Sequence, residues 1–103
     1  MKLQQFRNFI KSKKFVELCN TYEILDRWDY GGCDGGAGFH INNKNTNEIY
    51  AVIFSPNKLT YEKKVGQVSI YKLKKTDYDS YDYINTIIVT EDTKELKKVL
   101  FEL

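Results

Sequence analysis

Cysteine and histidine are the side chains best able to do chemistry near neutral pH. This chain places its only histidine, His40, seven residues after Cys33, and residues 29–43 around them hold five of its six glycines. A thiol-dependent enzyme would need Cys33 as a thiolate, His40 within hydrogen-bond reach as its base, and an acid such as Asp34 to orient the ring. The chain would have to turn back on itself between 33 and 40. Consecutive glycine N–H groups can instead cradle an anion, but no Walker pattern and no G-x-G-x-x-G ahead of a helix is present. Two cysteines, Cys19 and Cys33, with one histidine do not complete a tetrahedral zinc site without a carboxylate or a second chain. The stretch is therefore expected to be a wide glycine loop joining strands, with a bulge or a close backbone approach. No catalytic residue, cofactor or metal is assigned.

Gly32-Cys33-Asp34-Gly35-Gly36 is similar to a short loop of papain-like cysteine proteases. In that family the cysteine of the loop is a disulfide partner, not the nucleophile. The family's Gln…Cys-Gly-Ser-Cys-Trp stretch is absent here, and the likeness covers five residues.

A second stretch, 76–83, interleaves Asp77, Asp79 and Asp82 with Tyr78, Tyr81 and Tyr83. Tyrosine offers a large, stiff contact surface with a polar tip, and interfaces concentrate binding energy in such anchors. Carboxylates beside it suit an Arg- or Lys-rich surface. These six residues are the candidate partner-binding set, the partner being another protein or ribonucleoprotein with a basic surface. The competing set is basic. Lys63, Lys64, Lys72, Lys74 and Lys75 with Tyr71 could line a strand surface for single-stranded nucleic acid or a nucleotide. Against it stand a net charge of only +2 and two arginines beside fourteen lysines.

The charges fall in blocks of one sign. Residues 1–14 carry five bases and no acid, and residues 76–92 carry five acids and no base. Such blocks form opposed patches able to steer one charged partner. Global mimicry of DNA is disfavoured, because the basic blocks cancel the acids and the net charge is positive.

The elements that must position these residues follow from periodicity. The 103 residues, 42% hydrophobic and 29% charged, suit one globular domain spanning 1–103. Leu3, Phe6 and Ile10 share a helical face; Phe15, Leu18, Cys19 and Tyr22 share another, rotated from the first. The N-terminal helix is therefore expected to break or bend near 11–14, with Ser12 able to cap its second part. Residues 22–30 fit a strand on Tyr22, Ile24, Trp28 and Tyr30, and fit a continued helix nearly as well; a helix ending near 20 and then a strand is preferred. Strands follow at 37–42 and 48–54, separated by an Asn-rich turn. Pro56 is expected to end the second of these. A hairpin is expected at Val65–Gly66, then a strand carrying Val68 and Ile70 on one side with Ser69, Tyr71 and Leu73 on the other. A last strand at 83–90 leads to a helix capped by Asp92, with Leu96, Val99, Leu100 and Leu103 as its apolar stripe. The expected fold is α+β: an N-terminal helix, an antiparallel meander of 4–5 strands and a short C-terminal helix, in two layers.

No apolar run is long enough for a transmembrane helix and no signal-peptide pattern opens the chain. A cytoplasmic location, in a bacterium or an infected host cell, is expected, with no membrane partner. Small Lys/Asn/Tyr-rich α+β chains of this size are common among phage-encoded anti-defence inhibitors, anti-CRISPR proteins included, and among toxin-immunity proteins. By that analogy of size and composition the chain is expected to be a non-enzymatic inhibitor or neutralising protein that docks on a macromolecular target.

Overall fold

The computed structural model describes residues 1–30, 36–59 and 64–103, with the side chains of Lys58, Leu59 and Lys64 outside the described set. Helix α1 spans Leu3–Ile10 and α2 spans Lys13–Leu18. The break between them falls at the basic segment, and the Ser12 hydroxyl accepts a hydrogen bond from the Phe15 N–H, capping α2. Five strands follow: β1 (Tyr22–Asp29), β2 (Ala37–Asn43), β3 (Ile49–Leu59), β4 (Lys64–Lys75) and β5 (Tyr81–Thr90). They form one antiparallel sheet in meander order, β1-β2-β3-β4-β5. Helix α3 (Thr93–Glu102) closes the fold, with the Asp92 carboxylate accepting from the Lys94 N–H. All three helices lie on one face of the sheet, giving a two-layer α+β architecture. None of them is long and apolar enough to cross a membrane.

Alternation along the central strands builds the core. Phe39 and Ile41 on β2, Val52 and Phe54 on β3, and Val68 and Ile70 on β4 point to the helices and are fully buried. Leu3, Phe6 and Phe9 from α1, Phe15 and Leu18 from α2, and Leu96 and Leu100 from α3 meet them. Phe39 sits between Phe6, stacked at 6.2 Å, and Phe15, edge-on at 5.3 Å. The Asn-rich turn closes on Asn43, whose Oδ1 accepts from the N–H groups of Asn45 and Thr46, while Asn47 takes φ +61°.

Three expectations are corrected. β3 does not stop at Pro56: it runs to Leu59, with Pro56 opposite Gly66 and a bulge at Asn57. Past the Ala37–Phe54 pair, β4 is its only partner among the described residues. Proline is tolerated on such a locally edge-like segment. Val65–Gly66 is not a turn. Both residues pair inside β4, and the connection lies at 60–63, outside the described residues. A glycine is needed at 66 because a Cβ there would collide with the Ser55 carbonyl oxygen. Finally, Tyr22, Ile24 and Trp28 do not share a face. A bulge at Leu25 shifts the register between Ile24 and Asp26. Tyr22 and Ile24 face the helices, whereas Asp26 and Trp28 face the other way.

Candidate functional site

The helix-free face is where chemistry-bearing side chains collect. The Leu25 bulge sets Asp26 opposite His40 and Trp28 opposite Gly38. His40 Nδ1 lies 3.0 Å from Asp26 Oδ2. In this pair the ring nitrogen donates when Nδ1 carries the proton, and the carboxylate oxygen accepts. Trp28 packs edge-on to His40 with ring centroids 5.1 Å apart, and the Tyr81 ring lies tilted against the imidazole at 4.7 Å. Tyr71 and Tyr83 make a second pair at 5.7 Å, and the Tyr83 and Thr86 hydroxyls share a hydrogen bond of 2.9 Å.

The contact between His40 and Tyr81 reveals the shape of this face. His40 is on β2 and Tyr81 on β5. Three strand steps of about 4.8 Å would hold them roughly 14 Å apart in a flat sheet. The sheet must therefore coil towards its helix-free side. Two bulges in β5, at Ile84 and Ile87, supply the extra bend. Small residues floor the hollow: Ala51 and Ser69 are only 1% and 3% exposed despite facing away from the helices. Gly38 has no room for a Cβ, which would stand 2.6 Å from the Val52 carbonyl oxygen and 2.8 Å from Trp28 Cζ2.

The partner-binding set proposed from sequence is dispersed. Asp77, Tyr78 and Asp79 form the tip of the β4–β5 hairpin, closed by a hydrogen bond from the Thr76 N–H to the Ser80 carbonyl. Tyr78 is 92% exposed. Asp79 takes φ +58° and pairs with Lys75 at 3.5 Å. Tyr81 and Tyr83 turn onto the helix-free face, and Asp82, opposite Lys74, turns to the helix side. The basic set divides likewise. Tyr71 and Lys75 share the helix-free face. Lys72 and Lys74 lie on the other, with Lys72 3.5 Å from Glu48. Lys63 and the side chain of Lys64 lie outside the described residues, as do Cys33 and Asp34. The acid that orients His40 is Asp26.

Glu48 is held below its ordinary value of 4.5, first by the hydrogen bond from the Tyr50 hydroxyl and then by Lys72. Tyr50 is pushed well above 10.0, chiefly by burial and then by Glu48. Among the described residues no three His, Cys, Asp or Glu side chains gather as a metal ion requires.

Sequence reasoning missed two further features. One is the edge strand β5, whose Tyr83, Ile84, Ile87 and Val89 are 62, 50, 38 and 47% exposed. The signal was legible in principle. Apolar residues at both odd and even positions of 83–89 exceed what one buried face can absorb. The other is a cleft of about 480 Å³ between α1 and the β1–β2 end, lined by Gln4, Arg7, Ile10, Lys11, Arg27, Trp28, Asp29, Ala37 and Gly38. It contains both arginines of the chain. Arg7 bonds Asp29 through two parallel contacts of 2.7 and 2.8 Å, which raises its already high pKa.

No known family model, curated protein or solved structure matches this chain.

Proposed function

We propose that this chain is a non-enzymatic docking protein that grips a partner protein through β5, and that it inhibits or neutralises that partner by covering it. The observation that carries this reading is the apolar strip Tyr83, Ile84, Ile87 and Val89 on an edge strand. Edge strands are ordinarily blunted by charge, and exposed apolar strips mark interaction sites. Acids bracket the strip, Asp77, Asp79 and Asp82 before it and Glu91 and Asp92 after it. That pattern fits an apolar surface flanked by Lys or Arg. A second copy of the chain fits poorly. Antiparallel pairing of two β5 edges would set the acids at one end against those at the other, and like charges so placed repel.

The test is affinity capture from the native cell, followed by a binding titration with the purified partner. Ile84→Lys with Ile87→Lys should weaken binding by at least about tenfold, the scale of a lost apolar anchor, and leave the unfolding midpoint nearly unchanged. Undiminished binding would remove β5 from the interface. Sedimentation of the free protein as a dimer, reverting to monomer in the same variant, would replace the partner with a second copy.

A further inference from the structure

The cleft beside β1 lies far from the β5 strip along the sheet, and its chemistry is opposite. The Leu25 bulge that turns Asp26 and Trp28 to the helix-free face turns Arg27 to the helix side. There its guanidinium lies 5.9 Å from the Phe15 ring centroid, and it lines the cleft with Lys11 of the α1 C-cap. Arg7 is already matched by Asp29. Arg27 and Lys11 have no carboxylate partner among the described residues. Among the described residues the lining therefore holds three cations and one anion, a surplus of two positive charges. A phosphate monoester carries about −1.5 to −2 near neutral pH. A volume of about 480 Å³ lies within the roughly 300–1,000 Å³ of small-molecule sites. Trp28 and Gly38 belong to the strand floor of the cleft, and the Trp28 indole packs on the helix-free side of that floor, over Gly38 and beside His40.

We propose that this cleft binds a small phosphorylated ligand, its phosphate held by Arg27 and Lys11. Arg7 is fixed by Asp29 as a third, preoriented cation at the rim. The guanidinium of Arg27 offers a fork suited to two phosphate oxygens, and the Lys11 ammonium adds a mobile point charge. The site is independent of the β5 docking reading: it uses none of the same residues and stands or falls separately.

Binding is read by isothermal titration calorimetry, because the indole of Trp28, the only tryptophan, stands behind the strand that floors the cleft. The experiment titrates the full chain with inorganic phosphate, ADP and adenosine at low and high salt. A saturable heat with phosphate or ADP, weakening as salt rises, is the expected result. Phosphate and ADP competing equally would point to free phosphate as the ligand; tighter binding of ADP would point to a nucleotide. Arg27→Gln and Lys11→Gln should each weaken the response by about tenfold or more. Lys98→Gln, on α3, should change nothing. If Arg27→Gln loses its fold with the Phe15 contact, Lys11→Gln alone decides. Adenosine binding as well as ADP, titrations untouched by either cleft variant, or no saturable heat would each overturn the proposal. Arg7 and Lys11 would then serve only to offset the dipole at the end of α1.

Discussion

The two faces of this sheet are built from different materials. The covered face is filled mainly with phenylalanine, leucine, isoleucine and valine, with Tyr22 and Tyr50 buried beside them. The helix-free face carries Trp28, His40, Tyr71, Tyr81 and Tyr83, side chains with an apolar body and a polar tip, over a floor of Gly38, Ala51 and Ser69. The covered face stabilises by area removed from water. The open face keeps its rings near solvent and orders them through ring packing and hydrogen bonds. The division also runs from centre to edge. β2, β4 and the part of β3 before its Asn57 bulge are regular and carry the core, while β1 and β5 are bulged and carry the surface chemistry.

The comparison breaks most visibly in the core. Phe39→Ala would empty a site packed between Phe6 and Phe15, at a cost of about 3–5 kcal/mol. For a chain of this size that lowers the melting temperature by roughly 12 °C or more. The same truncation at Tyr83 should cost far less, because its ring is largely in water already. Thermal melts of the two variants side by side check this. Equal losses would mean that the open face contributes to the core after all.

Gly38→Ala probes the join between the faces, with a smaller effect of about 1–3 kcal/mol. The new methyl meets the Val52 carbonyl, which is backbone and cannot easily yield, and Trp28, which can. Trp28 should therefore be pushed off Gly38, and its emission should shift along with the lowered stability. Loss of stability with unchanged emission would show that the indole is held by something other than that glycine.

Much of the covered face was legible in the sequence, because it obeys simple periods. Leu3 and Phe6, Phe15 and Leu18, Phe39 and Ile41, Val68 and Ile70, and the α3 stripe were all placed by spacing alone, and Ser12 and Asp92 announced their helices. The open face was not legible, for one physical reason. A bulge costs a single residue, leaves no compositional mark at Leu25, Ile84 or Ile87, and inverts the facing of everything beyond it. Period two puts Trp28 on the side of Tyr22 and Ile24, and the bulge puts it on the other. The Asp26–His40 pair, fourteen residues apart, could not be seen until the register was known. Pro56 and Gly66 misled in the opposite sense. Their local signals are those of a turn, and the pairing of β3 with β4 overrides them.

The smallest expected effect lies at the rim of the covered face, where Tyr50 donates a hydrogen bond of 2.6 Å to Glu48. It sharpens the comparison by testing whether a polar tip matters on the side built for apolar packing. In the folded chain the Glu48 carboxyl is held below 4.5 and the Tyr50 hydroxyl is held above 10.0. A depressed carboxyl contributes stability that is present above its unfolded value and lost as pH falls through its folded value. A raised phenol contributes stability that is present below its unfolded value and lost as pH climbs towards its folded value. Stability should thus be flat between about pH 5 and 9, falling on both sides of that window. Tyr50→Phe removes the hydroxyl from both terms. The variant should lose less on the alkaline side and show a shallower acid limb, since Glu48 keeps only the attraction of Lys72. Tyr22 is also raised, chiefly by burial, so some alkaline loss must remain in the variant. Urea midpoints measured from pH 3 to 11 decide the matter, and superimposable curves for the two proteins would mean that the Tyr50–Glu48 bond does not couple to folding.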